Sequence, residues 1–518
     1  MSSWRDGVNW VVERIRDSMP WVWSMASQAI GKERFSTQWP PPGDKERLAR
    51  YSTFRRLYEG DHETVYVTDG RYSYDQERDY VTVNVCGEIT DLLVDRLFGE
   101  TLQISGPADD DDAAEWLAHL HAANDFANLW VDLGTGTSYR GDGALEIYYD
   151  GEQQDVRMRA ISPSIVFVET VNDDTDRIAR IIIGYIRWND AKAYLYQEIH
   201  EPGLISYRLY ELHGDLRGNY GYTPERDRQP LDTIEDLADL PDEEETGIDE
   251  MLIVPIGLGG HDESGIWGRS DYADVMNLQG ELNNRATQSA EVLDKHGDPW
   301  MYGPDLFLDE EQRLDPQHRY LSVDNQEQVP GYLTWDGELG PAETEIQRII
   351  NHMLFTAGLS PESFGMDDGG GAESGRALKL RQHRTASAVR MRHRVYGTAI
   401  RRGISVASKL ANSTAVGPVW DGRVPPVLEP QDIALGWQDG LPDDETQQIE
   451  QAGMEVSYQI LSRRTAIEQR HPDWDEDRVQ EELDRIAEDR GTVPAPGGTG
   501  RLGLNSGLEN VEEEGGTA

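Results

Sequence analysis

From Gly375 to Trp420 the chain has no acidic residue, whereas Arg376, Lys379, Arg381, Arg384, Arg390, Arg392, Arg394, Arg401, Arg402 and Lys409 are all basic. The whole chain holds 96 Asp and Glu against 48 Lys and Arg, so this run is a specific local reversal of sign. Guanidiniums gathered in this way can contact the phosphates of a nucleic acid, or they can fork onto carboxylates of neighbouring segments or subunits. The apolar positions Val389, Met391, Val395, Ile400, Ile404, Ala407 and Leu410 predict one long helix here, and the charges lie all round it. Pairing with carboxylates, within the chain or across a subunit interface, is therefore the expectation, with DNA contact as the alternative.

The sequence spells out no other chemistry. The Gly-rich run Gly134–Gly141 has neither the lysine nor the spacing of a phosphate-cradling loop. His119 and His121 flank one residue and would face apart on a helix, and Ser360 lacks the GxSxG context of a strained nucleophile. Asp109 to Asp112 read as a helix N-terminus, where carboxylates favour the macrodipole, ahead of a cation site. Arg140-Gly141-Asp142 resembles an adhesion tripeptide but is short enough to arise by chance. One cysteine, Cys86, excludes an intrachain disulfide and makes a thiolate zinc site improbable. Enzyme activity is not predicted, and neither a metal nor a cofactor is expected.

A net charge of −48 excludes a generic nucleic-acid coat, which needs a basic face to neutralise phosphates. The 14 Trp, 22 Tyr and 8 Phe are too many aromatics for a disordered acidic chain. Six Lys against 42 Arg, with the acid excess, fits a host whose salt screens the self-repulsion; a GC-rich genome gives the same Arg bias. The longest uncharged N-terminal run, Ser18 to Gly31, contains Pro20 and is shorter than the roughly 18 residues of a membrane span, so no membrane association is expected.

The positioning elements follow from periodicity. Trp4, Val8, Val11, Val12, Ile15 and Met19 form an amphipathic stripe, and helices are predicted over Lys45–Gly60 and Glu88–Phe98 and after Asp112. Short β-branched and aromatic runs between Ala144 and Leu212 predict an antiparallel meander, followed by an acidic stretch, Asp232–Glu250, expected to be an exposed mobile loop. A helix over Asp271–Leu293, a small Pro-rich mixed block with strands near Tyr320–Val323 and Tyr332–Trp335, and a helix from Pro341 come next. Gly369, Gly370 and Gly371 predict a flexible loop before the basic helix, and Glu445–Glu488 reads as further helix.

The order of these parts resembles the portal proteins of tailed double-stranded-DNA viruses, of the Gp6-like family. The residues that carry the resemblance are the two bracketing helices, the run Gly358-Leu359-Ser360-Pro361-Glu362-Ser363-Phe364-Gly365 and the helix start Ser374-Gly375-Arg376-Ala377-Leu378-Lys379. Upstream, Arg56-Leu57-Tyr58-Glu59-Gly60-Asp61-His62 and the segment from Asn84 to Leu97-Phe98-Gly99-Glu100 resemble the family's N-terminal region.

The resemblance implies an α+β, mainly helical portal-type fold and a homo-oligomeric ring, usually a dodecamer, at one capsid vertex. It implies a wing over 1–265, stem helices at 266–294 and 341–357, a clip at 295–340 and a tunnel loop at 358–374. The basic helix and its return would span 375–440, a crown 441–490, and a disordered tail 491–518. Met366, Asp367, Asp368, Gly369, Gly370, Gly371 and Glu373 would then line the channel, acidic and poor at gripping DNA. Trp300, Tyr302, Phe307, Tyr320, Tyr332 and Trp335 would face the motor, and Arg376, Lys379, Arg381, Arg384, Arg390 and Arg394 would touch DNA or a neighbouring subunit. The implied partners are the terminase large subunit, a head–tail adaptor, the major capsid protein and the passing DNA, in the virion after assembly in host cytoplasm. Two other readings are a minor connector protein without a pore and an acidic hydrolase.

Overall fold

The computed structural model describes residues 37–68, 79–171, 174–214, 219–259, 266–297, 300–303, 320–323, 329–333, 340–366, 380–416, 419–420, 422–438, 453–454, 456–458, 461–471, 474 and 476–492. The N-terminal stripe from Trp4 to Met19 and the Gly-rich tail beyond residue 492 lie outside them. The chain divides into two compact units, Met1–Leu441 and Pro442–Ala518.

In the first unit, β1 (Gln38–Trp39) leads into α1 (Lys45–Glu59), α2 (Val85–Phe98), β2 (Gln103–Ser105), α3 (Asp111–Asn124) and α4 (Phe126–Arg140). Local chemistry sets the ends of these helices. Gly60 closes α1 at φ 82°, Asn84 caps α2 by accepting from Gly87 N, and Asp110 caps α3 by accepting from Ala113 N. Helix α4 was not predicted, because Gly134 and Gly136 weaken its helical signal. Packing overrides that weakness: a Cβ on Gly134 would stand 2.9 Å from the Phe98 ring, so the glycine is where α2 and α4 meet closely.

The expected meander is two sheets. Strands β3 (Asp142–Asp150) and β4 (Asp155–Ile161) form a hairpin; β5 (Val166–Val171), β6 (Asp174–Asn189), β7 (Lys192–Glu201) and β8 (Leu204–Gly214) form a second antiparallel series. The division falls at Ser162-Pro163, where a 3-10 turn over Pro163–Ile165 redirects the chain. The larger sheet also takes β1, β9 (Tyr220–Gly221), β10 (Arg228–Gln229) and β11 (Glu243–Glu245); the smaller takes β12 (Ile253–Gly257) against β3. Alternation along β6 buries both faces: Ile181, Ile183 and Tyr185 join the main core, and Ile182 joins a second cluster with Trp39, Phe167 and Leu195. Trp39 lies on Gly184, where an added Cβ would come within 2.5 Å of its ring.

The acidic stretch 232–250 is an ordered flap, contrary to the loop expected. Leu231, Ile234 and Leu237 are buried under it, and Glu243, Glu244 and Glu245 pair with Ser206, Ile205 and Leu204 of β8. Its apolar residues recur every three positions, the period of the 3-10 turns at Leu231–Thr233 and Glu235–Leu237, so the carboxylates stay in water.

The chain continues through α5 (Met276–Gly297), the small sheet of β13 (Trp300–Gly303), β14 (Tyr320–Ser322) and β15 (Gly331–Leu333), then α6 (Gly340–Ala357), α7 (His383–Ala411) and β16 (Ala434–Gly436), which pairs with β2. Helix α7 lies on the smaller sheet with Gly403 at the contact, where a Cβ would stand 2.5 Å from Leu145 Cδ2. The segment Asp271–Val275, predicted as helix, is a turn, although Tyr272 and Val275 are buried as the stripe required.

In the second unit the single helical segment expected is broken. Helices α8 (Arg463–Arg470) and α9 (Glu476–Thr492) are separate, with His471 and Trp474 outside either, and Arg464 pairs with Glu468 at 2.8 Å and Glu476 at 2.7 Å.

Candidate channel elements and the basic helix

Helices α5 and α6 pack on each other and bracket the small sheet. Strand β13 is central, parallel to β14 and antiparallel to β15, with Trp300 opposite Leu333 and Met301 opposite Tyr332. Trp300 is 48% exposed and Tyr332 is 61% exposed, Tyr302 is half-buried, and Tyr320 sits in β14. Phe307 and Trp335 lie outside the described residues.

Sequence periodicity missed how α5 is held. Gln279, Asn283 and Thr287, at four-residue steps, are fully buried and act as a strand edge for the extended segment before α2. Thr287 Oγ1 accepts from Val81 N at 3.0 Å, Asn283 Oδ1 from Val83 N at 3.1 Å and Gln279 Oε1 from Cys86 N at 3.0 Å, while Gln279 Nε2 donates to Val83 O at 2.6 Å. The only available signal was three amide or hydroxyl side chains recurring every fourth position on one helical face, a pattern normally read as solvent-facing. Tyr66 OH adds a hydrogen bond to the Met276 carbonyl.

The run Gly358–Gly365 closes on the start of α7. Ser360 N donates to Thr385 Oγ1 at 2.9 Å, Ser363 Oγ meets the same hydroxyl at 2.9 Å, and Gly365 ends the Pro361–Phe364 turn at φ 70°. Ser360 is thus buried in a backbone clamp. Met366 is half-buried, its sulfur 3.5 Å from Gln347 Nε2. Asp367, Asp368, Gly369, Gly370, Gly371, Glu373, Arg376 and Lys379 lie outside the described residues.

The basic helix divides its charges. Arg392 pairs with Asp271, Lys409 bridges Glu250 at 2.5 Å and Glu429 at 2.9 Å, and Arg401 donates to the Ile433 carbonyl at 3.0 Å. Arg384 donates to the Phe355 carbonyl at 2.6 Å with its guanidinium 4.0 Å above the Phe355 ring, so it serves the packing of α6 within the chain. Arg381, Arg390, Arg394 and Arg402 are exposed, and Met391, assigned to the core by periodicity, is 59% exposed beside them. Between them His393 stacks on Trp437 with centroids 4.2 Å apart; burial, and then Arg390, push its pKa below the ordinary value.

His119 and His121 do face apart: His119 Nε2 meets Asp155 at 3.1 Å, and His121 lies edge-on to Phe126. Among the described residues no three His, Cys, Asp or Glu side chains are placed to hold a metal ion, and no helix is long and apolar enough to cross a membrane. Burial pushes the Cys86 thiol up, away from reactivity.

Helix, small sheet, helix, clamped turn and long helix, carried on a two-sheet body, make up a structural scaffold. Residues 40–493 match the SPP1 Gp6-like phage portal protein family, and the chain belongs to that family. Its role is that of a portal, or connector, protein of virion-type particles. No curated protein matches the chain. Similar solved structures include the neck of an empty GTA particle computed with C6 symmetry, at 12% identity over 74% of this chain and 88% of that one with a TM-score of 0.38. Another is the virion of a native gene transfer agent (GTA) particle, at 12% identity over 73% and 86% with a TM-score of 0.36.

Proposed function

We propose that twelve copies of this chain form a ring at one capsid vertex, through which double-stranded DNA enters during packaging and leaves during ejection. The observation that carries this reading is the family match over residues 40–493. The succession of α5, the small sheet, α6 and the Thr385-clamped turn supports it. Residues 1–265 serve as wing, 266–294 and 341–357 as stem, and 295–340 as clip. The loop 358–374 faces the channel, the segment 375–440 returns to the wing, and 441–490 form the crown. The exposed Trp300 and Tyr332 suit the clip for docking the terminase large subunit and then a head–tail adaptor, while the wing meets the major capsid protein.

The channel is a passive conduit. A pore that passes a genome in both directions cannot hold phosphates tightly, since each strong site would be an energy well met at every helical turn, and a net charge of −48 suits transit over capture. The motor that hydrolyses ATP is a separate protein.

Electron microscopy of the full-length protein at molar salt tests this reading. A twelve-fold ring with an open axial channel is the expected image. Closed particles without a channel would favour a connector that lacks a pore, and a compact monomer would overturn the ring.

A further inference from the structure

A cleft of about 560 Å³ opens between α1, α4 and the turn after β4, and Arg55, Tyr58, Glu59, Asp132, Thr135 and Arg140 line it. Arg140, the last residue of α4, sends its side chain back along the helix, with Nη1 donating to the Gly136 carbonyl at 3.2 Å and the guanidinium 4.4 Å from the Tyr139 ring centroid. The bare backbone at Gly136 makes room for it: an added Cβ would stand 2.8 Å from Arg140 Nη1.

Among the described residues no carboxylate pairs with Arg140. Of the nearby acids, Glu59 and Asp142 are otherwise engaged, and Asp132 lines the cleft without an ion pair to Arg140. Glu59 takes Arg55 at 2.6 Å, and Asp132, exposed at the mouth, feels burial and the like charge of Asp125, with no arginine acting on it. Asp142, two residues beyond Arg140, turns into the protein, accepting from Tyr51 OH at 2.5 Å and Gly268 N at 2.6 Å. This also removes the adhesion reading of the tripeptide, since Asp142 is buried. Burial depresses the Arg140 pKa, opposed first by the Tyr139 hydroxyl, with a smaller depression from the like charge of Arg55.

A half-buried planar cation that pairs with no carboxylate among the described residues, at the wall of an open cleft, is complementary to an oxygen anion, which a guanidinium fork binds through two parallel hydrogen bonds. We propose that this cleft binds an oxyanion group, a carboxylate or phosphate seated on Arg140 beside Thr135. The group arrives either as a free anion or as an acidic side chain of a second copy of the chain. None of the residues lining this cleft is among those assigned to the channel.

The test uses the full-length protein at fixed ionic strength, with sodium chloride exchanged for sodium phosphate. Thermal midpoint and mass by light scattering are followed for the native chain, Arg140→Gln and Gly136→Ala. The alanine variant keeps every charge and favours the helix, but pushes the guanidinium aside, so it reports even where Arg140→Gln fails to fold. Phosphate stabilises folded proteins generally, and that effect is shared by all three, so the difference between native and variant is the readout.

For a free anion, the native midpoint rises saturably with phosphate and the variants respond at least about tenfold more weakly, the loss of one charge-assisted pair. For a carboxylate from a second copy, phosphate gives no specific rise and both variants shift to lower mass. Folded variants that match the native chain in both readouts would overturn the site.

Discussion

His62 Nδ1 accepts a hydrogen bond from Asn283 Nδ2 at 2.8 Å while its Nε2 donates to the Leu57 carbonyl at 2.9 Å, tying the end of α1 to the middle of α5 across 221 positions. Asn283 is oriented in turn, because its Oδ1 already accepts from Val83 N and Gln279 Nε2. The neutral ring is therefore the one that fits, since a proton on Nδ1 would face the Asn283 amide hydrogens.

Acid should loosen this joint. Burial lowers the His62 pKa below its ordinary value of about 6.5, so the unfolded chain takes up the proton first. The stability is fully present above about pH 6.5 and is lost as pH falls through the folded value, at about 1.4 kcal/mol for each unit separating the two. His393 adds a loss of the same sign. Unfolding curves between pH 8 and 5 should show a smaller acid loss in His62→Gln than in the native chain. Equal slopes would remove His62 as the cause.

Arg47 is a buried anchor between helix and sheets. It donates to the Pro163 carbonyl at 2.9 Å, the Val166 carbonyl at 3.1 Å and Asp44 at 3.0 Å, with Trp267 stacked 3.9 Å from its guanidinium. Arg47→Met leaves two carbonyls and a carboxylate without their donor and should cost about 3 kcal/mol in denaturant unfolding. A change below about 1 kcal/mol would show that water replaces the guanidinium.

Asp271 joins three elements, accepting from Arg392 through Oδ1 and from Ser138 Oγ through Oδ2 at 2.7 Å. Both ionic side chains are largely buried, so Asp271→Asn should destabilise by about 3 kcal/mol. A double-mutant cycle with Arg392→Met should return a coupling of at least about 1 kcal/mol, and additive losses would contradict the pairing.

The exposed side of α7 can be separated from the paired one. Arg390→Glu with Arg394→Glu touches no ion pair among the described residues, so the thermal midpoint should move by little while ring assembly is lost if these arginines meet a neighbour's carboxylates. Intact rings that package poorly would assign the pair to DNA instead.

Assembly should depend on salt. Copies carrying −48 each repel one another at long range, and the Debye length shrinks from about 30 Å at 0.01 M to about 3 Å at 1 M. Light scattering should show rings dissociating on dialysis into dilute buffer, and a mass that stays constant would contradict this.

The residues of the chain determined most of the longer elements and their order. Apolar repeats at steps of two or three and four residues announced β3 to β8, α5, α6 and α7, and Asp110 and Gly60 marked helix ends, because these signals act within a few residues of each other. Tertiary structure alone decided the partition into two sheets at Ser162-Pro163, the helix through Gly134, and the flap over β8, each of which rests on contacts with distant segments. It also decided which charges of α7 pair inside the chain, and that Gln279, Asn283 and Thr287 face inward. A polar side chain is buried or solvated according to what lies opposite it, and the backbone donors of residues 81, 83 and 86 come to α5 only when the chain folds.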